Sequence, residues 1–416
     1  MKDDATGELG VWLLDKRAGT LWVEEGRLRF RYDTHWLEQS DGMALSQSLP
    51  LQIEAFDDQV CGPFFAGLLP EGDLRRKIAQ LCQLSRANDF GLLAAIGGDC
   101  AGAVSLAPRD QAPGPAEVEW LTPTQLITLL AELPQRPMLA QRDGLRLSLA
   151  GAQDKLPVVV EGQRIGLPKG SAASTHILKP AIAAVDNSVT NEAFCMALAR
   201  MVKLRAADTQ ILMAGDQRIL LVRRYDRRRA DNDGWSRLHQ EDFCQALAVP
   251  PDLKYQNEGG PDLQACFSLL RRATRPSAPE VIRLLDAVIF NALIGNHDAH
   301  AKNFSILYRK QTATLAPLYD LLCTAVYPTL TGKMAMKVGS KYRFAEVQVR
   351  HWEQFAQAAG LSEAQAKKRV AGIAQQLPAC ARRLQTEALY SDQPLVERII
   401  SLIEQRCAIT LERLNT

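Results

Sequence analysis

Asp298 and Asn303 have the residue types and the spacing of a phosphoryl-transfer site. In kinase catalytic loops an aspartate orients the acceptor hydroxyl, and an asparagine five residues later binds magnesium. Asp320 follows 17 residues after Asn303 and supplies a second oxygen ligand of the kind that magnesium prefers. The pattern therefore indicates a magnesium–phosphate site. The alternative is that residues 294–303 form only a polar turn.

The sequence on either side predicts how this loop is held. Residues 279–293 are apolar almost all round, which is typical of a helix buried on every side. Gly295 follows where a helix C-cap is expected. Asp298 is therefore predicted to lie on a loop that leaves the end of a core helix.

A short hairpin is predicted directly after the loop. Residues 304–308 and 313–316 are two strand-like runs around a polar turn near residues 310–311. In such a hairpin, Asn303 and the segment just before Asp320 face each other at the open end. The two oxygen ligands are expected to converge there.

His297 and His300 leave a transition-metal site as an alternative. Zinc needs three or four ligands of suitable softness, and the other four of the six histidines are far away in sequence. An asparagine such as Asn303 suits magnesium better than zinc. The residue types therefore favour magnesium.

Composition sets the limits of the fold and the compartment. A chain of 416 residues is expected to form two or three subdomains. Its formal charge of +2 implies no general nucleic-acid surface. The nine cysteines are scattered without CxxC pairs, which predicts reduced thiols. No apolar run approaches the length of a membrane span, and no signal peptide is recognised, so we expect a soluble, cytoplasmic protein without membrane contact.

The order of predicted elements indicates an α+β fold. Strands come first and helices dominate later, in this sequence: strands over 10–32, helices over 61–97, a proline-rich linker over 106–119, a helix over 122–133, strands at 145–149, 156–160, 175–180 and 218–225 around a helix over 189–203, and mainly helices from 240 onward. This is the order of a two-lobed protein-kinase-like fold. We expect a β-rich subdomain over 1–110, a kinase N-lobe-like region over 111–236 and a helical C-lobe over 237–416.

Two further segments could bind a nucleotide. Residues 148–155 (SLAGAQDK) are small enough for backbone N–H groups to approach phosphate, or they form an ordinary hairpin turn. Lys179 lies in an apolar strand, where burial requires an anionic partner such as a nucleotide phosphate or Glu192. The alternative is a strand-edge lysine with a solvated tip.

A run of charge follows the strand at 218–222. Residues 223–226 (RRYD) stand where a hinge would meet adenine through backbone groups. The longer run RRYDRRR is also compatible with a basic patch for DNA or RNA, or with a solvated charged turn.

Longer motifs then carry a family resemblance over nearly the whole chain. They occur in order as LSQSLPL (45–51), FFAGLLPEG (64–72), GLLAAIGGDCAGAVSL (91–106), SLAGAQDKLPVVV (148–160), THILKP (175–180), NEAFCMALA (191–199), LLVRRYDRR (220–228), RLHQEDFCQALAVPPDLKYQNEGGPDL (237–263), IGNHDAHAKNFSI (294–306), LAPLYDLLCTAVYP (315–328) and KMAMKVG (333–339). Together they resemble the HipA family, the serine/threonine-kinase toxins of type II toxin–antitoxin pairs.

The resemblance implies a role for each matching position. Asp298 is the catalytic aspartate, and Asn303 and Asp320 are the magnesium ligands. Ser148 matches the serine that such kinases autophosphorylate, which ejects the phosphate loop; a dianion there repels ATP phosphates. The implied ATP-binding residues are Gly151, Ala152, Gln153, Asp154, Lys155, Lys179, Arg223, Tyr225, His300, Lys302 and Asn303, with Glu192 as the partner of the lysine at 179.

The resemblance also implies the biological role. The protein is expected to be an ATP- and Mg²⁺-dependent serine/threonine kinase that arrests growth by phosphorylating a cellular protein; some family members act on aminoacyl-tRNA synthetases. Its expected partner is a dimeric helix-turn-helix antitoxin of HipB type, through which it would meet operator DNA. The alternatives are a small-molecule or lipid phosphotransferase, and a co-repressor with a vestigial kinase lobe.

Overall fold

The computed structural model describes residues 7–230, 234–309 and 312–415. The chain divides into two compact units. The first comprises Met1–Pro180, Leu212–Asp252 and Leu307–Gln311, and the second comprises Ala181–Ile211, Leu253–Ile306 and Thr312–Thr416. Each unit is assembled from segments far apart in sequence, so the three contiguous domains remain a prediction.

The first unit contains an antiparallel sheet with the strand order β3-β2-β1-β4. Its strands are β1 (Leu9–Leu13), β2 (Lys16–Glu24), β3 (Arg27–Tyr32) and β4 (Val104–Pro108). The β-meander predicted over 10–32 is confirmed. The linker predicted over 106–119 is wrong at its start, because Val104 and Leu106 are buried and their strand pairs with β1.

Short helices pack beside this sheet. They are α1 (Thr34–Leu37), α2 (Asp58–Ala66), α3 (Gly72–Leu81), α4 (Asp89–Ile96) and α5 (Pro123–Glu132). Asp57 caps α2 by accepting a hydrogen bond from the Val60 N–H, and Thr122 and Gln125 form a capping box at α5. The helices predicted over 61–97 and 122–133 are therefore confirmed.

A second antiparallel sheet has the strand order β5-β7-β6-β8-β10-β9. Its strands are β5 (Glu117–Trp120), β6 (Leu156–Glu161), β7 (Arg164–Lys169), β8 (His176–Pro180), β9 (Thr209–Ala214) and β10 (Gln217–Arg223). The strand predicted at 145–149 is wrong. That segment makes one isolated bridge, in which Asp99 N–H donates to Arg146 O and Ser148 N–H donates to Asp99 O.

Three small elements complete the described part of this unit: β11 (Arg227–Arg229), β12 (Trp235–Arg237) and β13 (Gln240–Asp242), followed by α7 (Phe243–Ala246). Glu241 is buried, and its carboxylate accepts hydrogen bonds from the hydroxyls of Ser46 and Tyr308 and from the Gln47 N–H. Burial raises the pKa of Glu241 to about 7 in spite of these donors.

The second unit is mainly helical. Its helices are α6 (Ser188–Met201), α8 (Leu263–Ala273), α9 (Ala278–Ile294), α10 (Val349–Ala358), α11 (Glu363–Gln385) and α12 (Pro394–Asn415). Two strands follow α9 in the chain: β14 (Ser305–Arg309), whose last three residues belong to the first unit, and β15 (Thr312–Leu315). Helix α9 packs against α8, α11 and α12 and is buried nearly all round, as predicted. Helix α6 is also buried on most sides, whereas the sequence predicted one apolar face.

Two properties concern the chain as a whole. All nine cysteines are free thiols, which confirms the absence of a disulfide framework. Over the ranges described above, no helix combines the length and the apolar character that crossing a bilayer requires.

Candidate active site

A glycine directs the chain out of α9 into the candidate catalytic loop. Gly295 has φ +78° and ends the helix, as predicted. A Cβ at this position would lie 2.8 Å from the Cβ of Ala325. The carbonyl of Gly295 accepts hydrogen bonds from Ala325 N–H (3.0 Å) and Thr324 Oγ1 (3.2 Å). The turn therefore requires both a positive φ and the absence of a side chain.

Asparagine side chains fix the backbone of Asp298. Asn296 Oδ1 accepts from the Asp298 N–H (3.1 Å), while Asn296 Nδ2 donates to Asn291 Oδ1 (2.8 Å) within α9. On the other side, Asn303 Nδ2 donates to the Asp298 carbonyl (2.9 Å), which also accepts from the His300 N–H (2.8 Å). Asp298 is thereby tied to the core helix. Asn291 and Asn296 are not among the predicted site residues; for Asn291, an amide inside an apolar helix is the available signal.

The side chain of Asp298 meets a tyrosine from a distant segment. Tyr255 Oη donates to Asp298 Oδ1 at 2.6 Å, and the Tyr255 ring stands edge-on to His300, with centroids 5.1 Å apart. Tyr255 is not among the predicted site residues, because its 43-residue separation from Asp298 gives no local signal.

The two predicted metal ligands lie on neighbouring segments. Tyr319 Oη donates to the Lys302 carbonyl (2.7 Å), and Ala316 N–H donates to the Ser305 carbonyl (2.8 Å), so the chain before Asp320 runs beside the chain around Asn303. This agrees with the predicted hairpin, whose turn near 310–311 lies outside the described residues. Asp320 has φ +53°, a left-handed conformation that is rare for aspartate.

The ligand chemistry fits a hard divalent cation. Asn303 uses its Nδ2 as a donor to the loop, so its amide oxygen is the atom suited to a metal. Together with the Asp320 carboxylate, it offers the oxygen donors that magnesium takes. Asp298, Asn303 and Asp320 are all part-exposed, while their neighbours Asn296, His297 and Lys302 are buried.

The histidines do not form a zinc site. His297 Nδ1 contacts the Thr331 carbonyl (2.9 Å), and its Nε2 contacts Arg406 Nη2 (3.0 Å), so both ring nitrogens are engaged and the ring is neutral. Burial, reinforced by Lys254 and Lys302, lowers the pKa of His300 to about 3. In the three described ranges, no group of three or more His, Cys, Asp or Glu side chains is arranged to hold a metal.

In the first unit, the candidate phosphate loop is anchored to the start of α3. Ser148 is fully buried, and its hydroxyl donates to the Leu68 carbonyl (2.8 Å). Gly151 has φ +106° and forms a parallel bridge with Pro70, and Glu71 N–H donates to the Gly151 carbonyl (3.1 Å). No strand precedes the loop, so the alternative of an ordinary hairpin turn is wrong.

The rest of the loop reaches the end of β8. Gln153 Nε2 donates to the Pro180 carbonyl (3.2 Å), and Lys155 Nζ donates to the Ala150 carbonyl (2.6 Å). Burial raises the pKa of Asp154 above its ordinary value. Gln153 thus ties the loop to the residue that follows Lys179.

Lys179 is buried with 5% of its surface exposed, on a strand between β6 and β10. The alternative of a strand-edge lysine with a solvated tip is therefore wrong. Glu192 is also buried, at 4% exposure in α6. Lys179 and Glu192 belong to different units, and their pairing remains a prediction.

The arginine-rich run is an internal ionic cluster. Arg224, Asp226 and Arg227 are buried, which rules out the solvated turn and the nucleic-acid patch for these residues. Arg224 donates to both oxygens of Asp226 at 3.0 and 2.7 Å. Arg223 is exposed, and the Tyr225 hydroxyl donates to Gln240 Oε1, so the hinge assignment of Arg223 and Tyr225 stays a prediction.

Asp99 is the centre of this ionic cluster. Its Oδ1 accepts from Arg227 Nη2 (3.0 Å) and Arg237 Nη2 (3.0 Å), and its Oδ2 accepts from Ser174 Oγ (2.5 Å) and lies 3.5 Å from Arg224 Nη1. Burial alone would raise the pKa of Asp99, but the three guanidinium charges outweigh it and hold the pKa well below its usual range.

Comparison with known proteins places these observations in a family. The family models for the HipA N-terminal domain and the HipA-like C-terminal domain match residues 9–107 and 147–381. The putative kinase Y4mE of Sinorhizobium fredii is 43% identical over 410 residues, covering 96% of this chain and 98% of that protein. The serine/threonine-protein kinase toxin HipA of Shewanella oneidensis is 29% identical, over 75% of this chain and 73% of that protein.

A solved structure extends the match to the fold. The Shewanella oneidensis complex of HipA, HipB and operator DNA contains a chain that aligns with a TM-score of 0.86 at 25% identity, covering 98% of both chains. The predicted α+β fold of kinase type is thereby confirmed.

Proposed function

Because the chain belongs to the HipA family, we propose that it is an ATP- and Mg²⁺-dependent serine/threonine protein kinase and the toxin of a toxin–antitoxin pair. The observation that carries the proposal is the set of three part-exposed oxygen-bearing side chains, Asp298, Asn303 and Asp320, on a buried frame. A polar turn alone does not require this frame. Phosphoryl transfer does, because it depends on positioning and charge neutralisation.

Each of the three residues has a proposed role. The Asp298 carboxylate orients the acceptor hydroxyl and takes its proton. Asn303 and Asp320 hold Mg²⁺ through their side-chain oxygens. When bound, the ion neutralises charge on the transferred phosphoryl group. The bonds from Asn296 and Asn303 to Asp298 keep the carboxylate in place during transfer.

Further residues are proposed to contact ATP. Lys179 is buried on β8, and its ammonium group is suited to the ATP phosphates. The neutral ring of His300 can hydrogen-bond without adding charge. The remaining proposed contacts are Gly151, Ala152, Gln153, Asp154 and Lys155 in the phosphate loop, Arg223 and Tyr225 in the hinge, and Lys302 and Asn303 in the catalytic loop.

Ser148 is the proposed site of autophosphorylation. Its hydroxyl is fully buried against the Leu68 carbonyl. A phosphate on this atom replaces a donor with a dianion beside a carbonyl oxygen, which is repulsive. The loop must therefore leave this position once Ser148 is modified, and the kinase would be silenced.

The proposed partners follow the Shewanella oneidensis complex of HipA, HipB and operator DNA. We expect a HipB-like helix-turn-helix antitoxin dimer, with operator DNA contacted mainly through it. The substrate is a cellular protein.

The proposal is tested by intact-mass analysis and phosphopeptide mapping after incubation with ATP and Mg²⁺. Wild type should carry phosphate on Ser148, and Asp298→Asn should reduce the rate by about 10²- to 10⁴-fold with ATP affinity retained. Asparagine keeps an oxygen that accepts the Tyr255 hydrogen bond, so the variant should fold. The matched control is Asp392→Asn, at an exposed position in the same unit, which should act like wild type.

Other outcomes contradict parts of the proposal. Equal phosphate incorporation by Asp298→Asn and wild type would exclude the catalytic role of Asp298. Phosphate confined to residues other than Ser148 would refute the silencing switch. Transfer to small molecules or lipids, and not to any protein, would establish a different phosphotransferase.

A further inference from the structure

Tyr255 makes a direct hydrogen bond to the proposed catalytic carboxylate. Its hydroxyl donates to Asp298 Oδ1 at 2.6 Å, from a segment 43 residues earlier in the chain. We infer that Tyr255 is a positioning residue, whose hydrogen bond fixes the orientation of the Asp298 carboxylate toward the acceptor hydroxyl. This inference rests on the proposed kinase function and assigns a further residue to the same site.

The backbone that carries Tyr255 is itself tied to the catalytic loop. Gln256 N–H donates to the Ala335 carbonyl (3.2 Å), and Ala335 N–H donates to the His297 carbonyl (2.8 Å). The N–H groups of residues 258 and 260 both donate to the Tyr255 carbonyl, which forms a tight turn after Tyr255. Tyr255 and Asp298 therefore belong to one hydrogen-bonded frame.

The ring of Tyr255 is also restrained. It meets His300 edge-on, with an interplanar angle of 88° and centroids 5.1 Å apart. The hydroxyl of Tyr255 thus points at Asp298 from a fixed ring.

Asp298 needs such a restraint. Its backbone is fixed by Asn296 and Asn303, but rotation about the Cβ–Cγ bond of an aspartate is soft and roughly two-fold. A hydroxyl that donates to a carboxylate forms a short, charge-assisted bond, which is about twice as strong as a neutral one. The bond from Tyr255 therefore restrains rotation of the Asp298 carboxylate.

If Tyr255 instead blocked the active site, its removal would change the reaction rate in the opposite direction. The Tyr255 hydroxyl could occupy the position of an acceptor hydroxyl and so block Asp298. Removal of a block accelerates the reaction, whereas removal of a positioning bond slows it. The sign of the change in rate separates the two roles.

The test is the rate of self-phosphorylation of full-length Tyr255→Phe, followed by intact mass at saturating ATP and Mg²⁺. The rate constant should fall by about 10- to 100-fold, and the ATP dissociation constant should change less than about two-fold because the ring remains. A purely structural tyrosine would raise the ATP dissociation constant as the rate constant falls.

Tyr327→Phe is the matched control. The Tyr327 hydroxyl donates to the Asp186 carbonyl (2.7 Å) and accepts from Asn191 Nδ2 (3.0 Å) in the same unit, so this variant also loses a tyrosine hydrogen bond. It should lower thermal stability without a comparable fall in the rate constant of self-phosphorylation. This control separates loss of stability from loss of positioning.

Three outcomes overturn the inference. An active wild type whose rate constant is reproduced by Tyr255→Phe excludes the positioning role alone. A faster Tyr255→Phe establishes the blocking role. A wild type that transfers no phosphate to itself or to protein overturns the proposed function, and this inference with it.

Discussion

Replacement of Asp99 by asparagine tests the ionic cluster of the first unit. The Asp99 side chain is 4% exposed, and those of Arg224, Arg227 and Arg237 are between 0% and 4% exposed. Asparagine has nearly the same size, but it removes the charge and turns an N–H₂ group toward arginine donors. The change is therefore electrostatic and leaves no cavity.

The expected loss is large for a single substitution. The buried groups of the cluster are three arginines and the carboxylates of Asp99 and Asp226, so Asp99→Asn raises the net charge of these buried groups from +1 to +2. Breaking a buried ion pair by removing one partner costs about 3–5 kcal/mol. A domain is typically stable by about 5–15 kcal/mol, so this unit should lose a major part of its stability.

Urea unfolding followed by tryptophan fluorescence measures the change in unfolding free energy of the first unit. Five of the six tryptophans (12, 22, 36, 120 and 235) lie in the first unit. Asp15→Asn is the matched control, because Asp15 also pairs with Arg237 (3.3 Å) but is 63% exposed. Its loss should stay within about 0.5 kcal/mol.

Acid titration provides a second test of the same reasoning. The pKa values of Asp99 and Asp226 are lowered in the folded state, where arginine charges outweigh the effect of burial. Their contribution to stability is therefore present above the ordinary aspartate pKa of about 4, and it is lost as the pH falls through the lowered values. Wild type should lose more stability on acidification than Asp99→Asn. Equal unfolding midpoints for Asp99→Asn and Asp15→Asn would refute the cluster's role in stability.

Two further predictions concern a tight turn and a buried acid. Gly295→Ala should destabilise the second unit by at least about 1 kcal/mol and slow phosphotransfer, because the φ of residue 295 is +78° and the new Cβ would contact Ala325. In contrast, a Cβ at Gly372 in α11 has open space around it. Gly372→Ala should therefore stabilise the protein by about 0.5–1 kcal/mol. Thermal melts of both variants check these opposite signs. The folded-state pKa of Glu241, about 7, lies above its ordinary value of 4.5, so its contribution to stability is present below pH 4.5 and is lost as the pH rises through 7. Glu241→Gln should flatten the dependence of unfolding free energy on pH between 5 and 8; an unchanged slope would contradict the assignment.

The catalytic loop was well predicted because its signals are local. A core helix, a glycine cap and two short strands each follow from neighbouring residues, and the structure reproduces them around Asp298. Tyr255 could not be found this way, since only tertiary folding brings it to the loop. The roles of Asn303 and Asp320 as metal ligands stay predictions, supported by the neighbouring positions of their segments.

The ionic cluster shows the opposite case. A run of arginines predicts a solvated surface, because like charges repel and the run RRYDRRR itself contains only one acid. The deciding partner of Arg224 and Arg227 is Asp99, 125 and 128 residues upstream. Similarly, residues 145–149 have the composition of a strand but make one bridge to Asp99. Both errors arise from contacts between distant parts of the chain.

The distances along the chain within this cluster also bear on synthesis. Asp99 leaves the ribosome long before Arg237, which follows 138 residues later. At about 5–20 residues per second, translation takes about 7–28 s to supply the last arginine. During that interval the buried ionic cluster cannot be complete. A fragment that ends before Arg224 lacks all three arginines and would leave the Asp99 carboxylate without the counter-charges that accompany its burial.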